Sequence, residues 1–155
     1  MDTAVVNGEI SIDIPEGFRI LNGEELNALY ADSNPNRWGM TDDERHMVVS
    51  IFWHKNNPLL TLLAGAKDAC KATERKLSKA LRGHEYVLEG FFQRSLCGKQ
   101  AYGFRHRYDL RGETYTSYVI LFMKGSVCYT VYCYVRVTDM ESSIPVLQDI
   151  LQSMR

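Results

Sequence analysis

The segment from Gln100 to Val137 reads QAYGFRHRYDLRGETYTSYVILFMKGSVCYTVYCYVRV, and it sets the architecture of the chain. Its aromatic and β-branched residues predict three strands, Gln100–Leu110, Glu113–Met123 and Ser126–Arg136. The strands are joined at Arg111-Gly112 and Lys124-Gly125, where each glycine suits the positive φ of a tight hairpin turn. The segment therefore predicts an antiparallel meander.

The register of this meander predicts which side chains share a face. With two-residue turns, Leu110 lies opposite Glu113 and Met123 lies opposite Ser126. One face then carries Tyr102, Phe104, His106, Tyr108, Tyr115, Ser117, Val119, Leu121, Cys128, Thr130, Tyr132 and Tyr134. The opposite face is also largely apolar, whereas a sheet with one solvated face would alternate more cleanly. We therefore expect helices to cover both faces.

One end of the first face gathers a hydroxyl-rich aromatic cluster, which is the candidate binding site of the chain. Its members are His106, Tyr108, Tyr115, Ser117, Tyr132 and Tyr134. Aromatic rings with polar tips are typical of ligand pockets and of protein interfaces. The alternative is structural, because tyrosines often pack half-buried under a helix with their hydroxyls in water.

Composition restricts the class of protein. The 155 residues predict a single domain, 1–155, and the net charge of −1 gives no reason to expect a nucleic-acid partner. The chain starts without the pattern of a secretory signal, and it has no apolar run long enough to span a membrane. We therefore expect a soluble cytoplasmic protein. Its four cysteines form no metal-binding motif, so neither a metal nor a cofactor is expected.

The first third of the chain predicts two strands and a short helix. Glu9–Ile14 alternates as a half-buried strand, and a helix from Asn22 or Gly23 to Ala31 directs Leu26, Leu29 and Tyr30 inward. Residues 32–44 are read as an irregular loop, since they contain Pro35 and Gly39. Trp38 in this loop is a candidate contact residue, although it could instead cap the core. His46–Lys55 is the next strand.

The remaining elements complete an α+β pattern. Leu62–Arg82 is an amphipathic helix whose outer side carries Lys67, Lys71, Arg75, Lys76, Lys79 and Arg82. This basic side is either a docking face for an acidic partner or an ordinary solvated face. Tyr86–Leu96 is a strand with a break at Glu89-Gly90, and a final helix ends near Met154. The prediction is a central antiparallel sheet of about six strands between helices, an α/β/α sandwich.

The order of these elements resembles that of the PsbP-like family. The matching features are Ile14-Pro15-Glu16-Gly17-Phe18, the long helix after the Trp53 strand, and the meander closed by Ile144–Met154. This family includes the extrinsic photosystem protein PsbP, the Ran-binding Mog protein and related bacterial domains. The resemblance implies a non-enzymatic binding or assembly factor, and it transfers no functional residue to this chain.

These observations lead to three alternative hypotheses about the function. The first is a non-catalytic binding domain with a protein partner, a monomer or homodimer that uses the aromatic cluster or Trp38. The second is a small-molecule-binding protein or small enzyme in which His106 acts as a general base near Tyr108 and Ser117. The third, ranked last, is nucleic-acid binding through the basic helix with Arg105 and Arg107. The chain has no recognisable catalytic motif, so an enzyme is not expected.

Overall fold

A computed structural model describes residues 1–56 and 65–155. Within these residues the helices are α1 (Gly23–Tyr30), α2 (Ala66–Ala80) and α3 (Met140–Ser153), with a 3₁₀ turn at Val137–Asp139 before α3. The strands are β1 (Asp2–Val6), β2 (Ile10–Ile14), β3 (Arg19–Ile20), β4 (Arg37–Asp42), β5 (Met47–Lys55), β6 (Val87–Leu96), β7 (Lys99–Leu110), β8 (Glu113–Lys124) and β9 (Val127–Arg136). The α+β class is confirmed.

The main sheet has seven strands in the order β3-β4-β5-β9-β8-β7-β6, and every neighbouring pair in it is antiparallel. A separate hairpin, β1-β2, makes a two-stranded sheet. The sheet is therefore larger than the six strands expected, and β1 had no counterpart in the prediction. The break predicted in β6 is present as a bulge between Leu88 and Gly90.

The predicted meander is confirmed, with one change of register. Leu110 lies opposite Glu113, and the turn residues Arg111 and Gly112 have φ of 53° and 78°, as a tight hairpin turn requires. At the second hairpin Lys124 pairs with Val127, so the turn falls one residue later than predicted. Met123 consequently lies opposite Cys128 instead of Ser126. A shift of two positions leaves each side chain on its predicted face, because side chains alternate with a period of two.

The prediction of an irregular loop at residues 32–44 was wrong, because Arg37–Asp42 forms strand β4 in the main sheet. Gly39 misled the prediction, since glycine inside a strand usually weakens it. Here the missing side chain makes room for α1: a Cβ on Gly39 would lie 2.9 Å from Cδ2 of Leu26 and 3.3 Å from Cδ1 of Leu21. Packing against α1 therefore selects glycine at a position where sequence alone indicates a loop.

The helices follow their predictions with local differences. Asn22 caps α1 by accepting a hydrogen bond from the Glu25 amide at 2.9 Å, and the Glu25 carboxylate accepts one from the Asn22 amide at 3.1 Å. Leu26 is buried, but Leu29 is 48% exposed, so its predicted inward direction was wrong. The predicted start of the long helix, residues 62–64, lies outside the described residues, and α2 ends at Ala80, two residues earlier than predicted.

Two clusters of buried side chains lie against the sheet. In one, Cys70 and Leu77 of α2 pack with Phe104, Val119 and Leu121. The other cluster joins the β1-β2 hairpin and α3 to strand residues that alternate with those of the first cluster. Its strand members include Ile120, Phe122, Tyr129 and Val131, and its members from α3 include Leu147 and Ile150. In residues 1–56 and 65–155, no helix is long and apolar enough to cross a membrane.

Candidate functional site

A cleft of about 430 Å³ opens beside the aromatic cluster, and we call it the aromatic cleft. Helices α1 and α2 and strands β4, β5, β7, β8 and β9 contribute to its walls. Its lining residues are Leu29, Tyr30, Thr41, Asp42, Asp43, His46, Val48, Leu77, Leu81, His106, Tyr108, Leu110, Arg111, Tyr115 and Tyr134. Four of the seven predicted site residues, His106, Tyr108, Tyr115 and Tyr134, therefore meet at this cleft.

His106 forms part of the inner wall of the aromatic cleft. Its ring stacks on Tyr86 at 5.2 Å and on Tyr108 at 5.6 Å between ring centroids. The residue is 1% exposed, and neither Nδ1 nor Nε2 has a hydrogen-bond partner among the described residues. Burial lowers the pKa of His106 from 6.5 to about 4. The imidazole is therefore neutral at physiological pH, with one nitrogen able to donate and the other able to accept.

Ser117 lies directly opposite His106 on β8 but does not line the aromatic cleft. It is fully buried, and its hydroxyl also has no hydrogen-bond partner in the described part of the chain. Buried polar atoms without partners cost free energy, so most proteins avoid them. Two such side chains on neighbouring strands mark this part of the sheet as unusual.

The tyrosines divide between the cleft and the layer behind it. Tyr108 stacks on Tyr115 at 5.6 Å, and both rings face the cleft. Tyr132 does not line the cleft; it packs on Phe52 at 5.0 Å and on Tyr30 at 6.3 Å. Burial raises the pKa of Tyr132 to about 12 and also raises the pKa values of Tyr108 and Tyr134. These hydroxyls therefore stay protonated at neutral pH.

Trp38 lies away from the aromatic cleft. It is on β4 and packs against the cluster that contains Ile51 and Val131, whereas Arg37 and Thr41 of the same strand point to the cleft side. The structure therefore separates the two candidate contact sites of the sequence. Trp38 is half-buried in the position of a core residue.

Helix α1, which the sequence predicted, supplies a wall of the aromatic cleft whose position the sequence did not predict. Tyr30 is held by a hydrogen bond with the Ser50 hydroxyl and by the Arg37 guanidinium, which lies 5.3 Å from the ring centroid. Leu29, beside it, contributes an exposed apolar side chain to the cleft. The sequence signal for this wall was the predicted inward direction of Leu29 and Tyr30, which did not identify the strands that α1 covers.

The mouth of the aromatic cleft combines apolar and charged groups. Leu29 and Leu110 are 48% and 41% exposed there, and Arg111 and Asp43 add opposite charges. Burial alone would raise the pKa of Asp42, but the hydrogen bonds that its carboxylate accepts from Arg45, together with the charge of Arg45, lower that pKa. The cleft can therefore hold an apolar or aromatic group, with tyrosine hydroxyls and a neutral imidazole available for hydrogen bonds.

Comparison with solved structures identifies the fold. Cyanobacterial PsbP (CyanoP) from Synechocystis sp. PCC 6803 aligns over 94% of this chain and 85% of its own, at 13% identity and a TM-score of 0.68. The Ran-binding protein Mog1p of Saccharomyces cerevisiae aligns over 100% of this chain and 95% of its own, at 13% identity and a TM-score of 0.61. The chain therefore has a PsbP/Mog1-like fold, as its sequence resemblance predicted.

A third structure with this likeness is LpqN of Mycobacterium tuberculosis, described as involved in cell envelope biogenesis. It aligns over 94% of this chain and 82% of its own, at 13% identity and a TM-score of 0.52. No protein-family profile matches the chain. No curated protein sequence matches it either. The likenesses are therefore structural, and at such low sequence identities they establish a shared fold alone.

Proposed function

We propose that this PsbP/Mog1-like domain is a non-catalytic binding module, a protein-interaction or assembly factor that holds its partner at the aromatic cleft. The observation that carries the proposal is the cleft itself: a concave, mainly apolar site with two exposed leucines, Leu29 and Leu110, at its mouth. Exposed apolar groups around a concave site are typical of contacts with a partner. Mog1p, which shares the fold, is named a Ran-binding protein, and this supports a protein partner as the occupant.

The chemistry of His106 supports a non-catalytic role. A general base works best when its pKa lies near the working pH, and the pKa of His106 is about 4. Within the described residues no carboxylate orients its imidazole and no hydroxyl donates to it. His106 is therefore a weak base in the folded protein, suited to hydrogen bonding with an occupant and not to abstracting a proton.

We also infer that residues 1–155 act as one α/β/α domain. The packing of Cys70 and Leu77 with Phe104, and of Leu147 and Ile150 with Phe122, supports this layering. Phe104 lies opposite Val119 on β8, and Phe122, three positions from Val119 on that strand, points to the other side of the sheet. In this arrangement α1 and α2 enclose the aromatic cleft, while α3 and the β1-β2 hairpin support the sheet from behind.

The test uses exposed leucines, whose replacement leaves the core intact. Wild-type protein and the double variant Leu29→Asp/Leu110→Asp are used to capture proteins from a lysate of the source organism, followed by crosslinking and identification of the contacted residues. The matched control is Ile20→Asp on β3, because Ile20 is 50% exposed and does not line the cleft. We expect the double variant to lose a partner that the wild type and the control retain. A partner retained by the double variant would contradict the proposal.

The second candidate is a small-molecule-binding protein that uses the same cleft. The observation in its favour is the pair of unpartnered buried side chains, His106 and Ser117, beside a cavity of about 430 Å³. That volume lies within the range of small-ligand sites, roughly 300–1,000 Å³. A thermal-shift screen of neutral aromatic compounds tests it. A compound that raises the melting temperature of the wild type but not of His106→Phe would favour this candidate over a protein partner.

A further inference from the structure

Strand β6 forms one edge of the seven-stranded sheet, and among the described residues it pairs only with β7. It is a strand of 10 residues, and three of its apolar side chains are exposed: Val87 by 54%, Leu88 by 38% and Phe91 by 49%. An open strand edge offers backbone N–H and C=O groups to another chain. Long, apolar edges of this kind are usually covered by a partner or protected against pairing.

Helix α2 leaves a groove along this edge, which we call the edge groove. The helix packs mainly on β7 and β8, so β6 extends beyond it. Between them lies a cavity of about 120 Å³, whose lining includes Cys70, Phe91 and Tyr102, with Lys67 and Lys71 beside them. Phe91 packs on Phe104 at 6.0 Å between centroids, which places its ring on the same face of the sheet as α2.

The charge beside the edge groove is strongly positive. Residues 66–82 contain six basic and two acidic residues, a net charge of +4, whereas the whole chain has −1 and the remainder therefore −5. All six basic residues are exposed, and none forms an ion pair with another described residue. Glu89 of β6 does not offset them, because Arg105 and Arg107 bind its carboxylate at 3.4 and 3.3 Å.

These observations together select an occupant. We propose that the edge groove binds an extended acidic segment of a partner protein, which pairs with β6 as an eighth strand of the sheet. Its backbone would bond to the open edge, its apolar side chains would cover Phe91, and its carboxylates would face Lys67 and Lys71. The proposal concerns a surface separate from the aromatic cleft, so it goes beyond the proposed function.

Charge also decides between this occupant and a second copy of the chain. If two β6 strands paired antiparallel, the two sheets would join and both α2 helices would lie on one face. The rows containing Lys67 and Lys71 would then face each other across the seam, where like charges repel. An acidic segment meets the same rows with opposite charge, and it is therefore the favoured occupant.

The experiment uses synthetic peptides of about ten residues, the length of β6, in which Glu alternates with Val, Ile, Phe or Tyr. One control set carries Lys in place of Glu, and another has proline at alternate positions, which prevents strand pairing. Binding is measured by fluorescence anisotropy, and hydrogen exchange of the β6 amides reports pairing at the edge. We expect only the acidic, proline-free peptides to slow exchange in β6.

Matched variants locate the contact. Lys71→Glu is expected to weaken binding of the acidic peptides about fivefold, since it replaces an attraction with a repulsion at the surface. Lys55→Glu reverses the charge of an exposed residue at the end of β5, and it is expected to leave peptide binding unchanged. Leu110→Asp in the aromatic cleft is also expected to leave peptide binding unchanged. If Leu110→Asp leaves peptide binding unchanged, the peptide site is distinct from the aromatic cleft of the proposed function.

Four results would overturn the proposal. Equal binding of the proline-containing peptides would indicate charge attraction without strand pairing. Unchanged affinity in Lys71→Glu would place the contact elsewhere. A dimer in sedimentation velocity that Lys71→Glu strengthens would assign the edge to a second copy. Absence of binding by every acidic peptide to the folded wild type would reject the acidic segment as occupant.

Discussion

Across the paired strands β7 and β8, His106 lies directly opposite Ser117, and the polar side-chain atoms of both are buried without partners among the described residues. In a folded core this pairing is costly, because a buried donor or acceptor that loses its bond to water costs roughly 1–3 kcal/mol. The position next to the aromatic cleft explains why such a cost can be retained: an occupant of the cleft can supply the missing partner.

Replacement of Ser117 by alanine should therefore be harmless to the free protein. We expect Ser117→Ala to raise the free energy of unfolding by up to about 1 kcal/mol, since it removes a hydroxyl without a partner. Ser50→Ala is the matched control, because Ser50 is equally buried but forms a hydrogen bond with Tyr30. Loss of this hydrogen bond should lower the free energy of unfolding by about 1–2 kcal/mol. Urea denaturation measures both. A loss of stability in Ser117→Ala as large as in Ser50→Ala would show that its hydroxyl is bonded in solution.

The stability of the protein should depend on pH through His106. Its pKa is about 4 in the folded protein and 6.5 in the unfolded chain, so between these pH values the unfolded chain binds a proton that the folded protein does not. Stability from this group therefore falls as the pH decreases from about 6.5 to about 4, by at most roughly 3 kcal/mol, and is constant below. His106→Phe should remove this part of the pH dependence in urea titrations.

The same prediction has a direct spectroscopic control. In the wild type, the ring-proton NMR signals of His106 should titrate with a midpoint near pH 4. A midpoint close to 6.5 would mean that the imidazole is hydrated in the free protein, and the cleft would then lack its neutral buried hydrogen-bonding group.

Gly103 should resist substitution because of a close contact on the face opposite the cleft. A Cβ at this position would lie 2.5 Å from Cζ of Phe92 and 2.8 Å from the Val119 carbonyl oxygen. We expect Gly103→Ala to lower the free energy of unfolding by about 3 kcal/mol, as other overpacked core positions do. Gly23→Ala, where a Cβ meets no atom within 4 Å, should be neutral or slightly stabilising. Thermal unfolding distinguishes the two, and equal melting temperatures would contradict the close contact.

How far the sequence predicts this structure differs between its parts. The meander was predictable because Gly112 and Gly125 mark the turns and strict alternation sorts the faces, even where the register shifted by two. Strand β4 was not predictable, because its residues are explained only by contacts with residues distant in the sequence. Gly39 accommodates Leu26, and Arg37 is buried under Tyr30. Local sequence patterns do not encode such long-range contacts, so the polar composition of residues 32–44 indicated a loop.

The candidate site shows the same division. Alternation along β7, β8 and β9 was enough to bring His106, Tyr108, Tyr115 and Tyr134 to one surface. It could not distinguish Tyr132, which lies behind that surface against Phe52, nor find the wall formed by Leu29 and Tyr30. The position of a covering helix depends on tertiary packing, and that information is absent from the pattern of a single strand.

Arg37 holds α1 against the sheet and so maintains this wall of the cleft. Its side chain is 1% exposed, its guanidinium lies 5.3 Å from the Tyr30 ring centroid and 5.6 Å from that of Phe52, and its Nη2 donates to Oδ1 of Asn27 at 2.7 Å. Arg37 also forms an ion pair with the Asp32 carboxylate and donates from Nη2 to the Asp32 carbonyl oxygen at 3.4 Å. A planar guanidinium can stack on rings and donate to two partners at once, which a lysine ammonium cannot do.

Arg37→Lys should therefore destabilise the protein although it conserves the charge, by about 2 kcal/mol in urea denaturation. The loss should be concentrated in α1, because the contacts removed join residues 27–32 to the sheet. Hydrogen exchange resolved by residue is the decisive measurement: amides of α1 should exchange faster in Arg37→Lys, while those of β7 and β8 should keep the protection that global stability gives them. Arg45→Lys is the control, since Arg45 also pairs with an aspartate, but its side chain is 41% exposed and it stacks on no aromatic ring among the described residues. Faster exchange spread evenly over the sheet would show that Arg37 supports the whole fold and not this wall of the cleft.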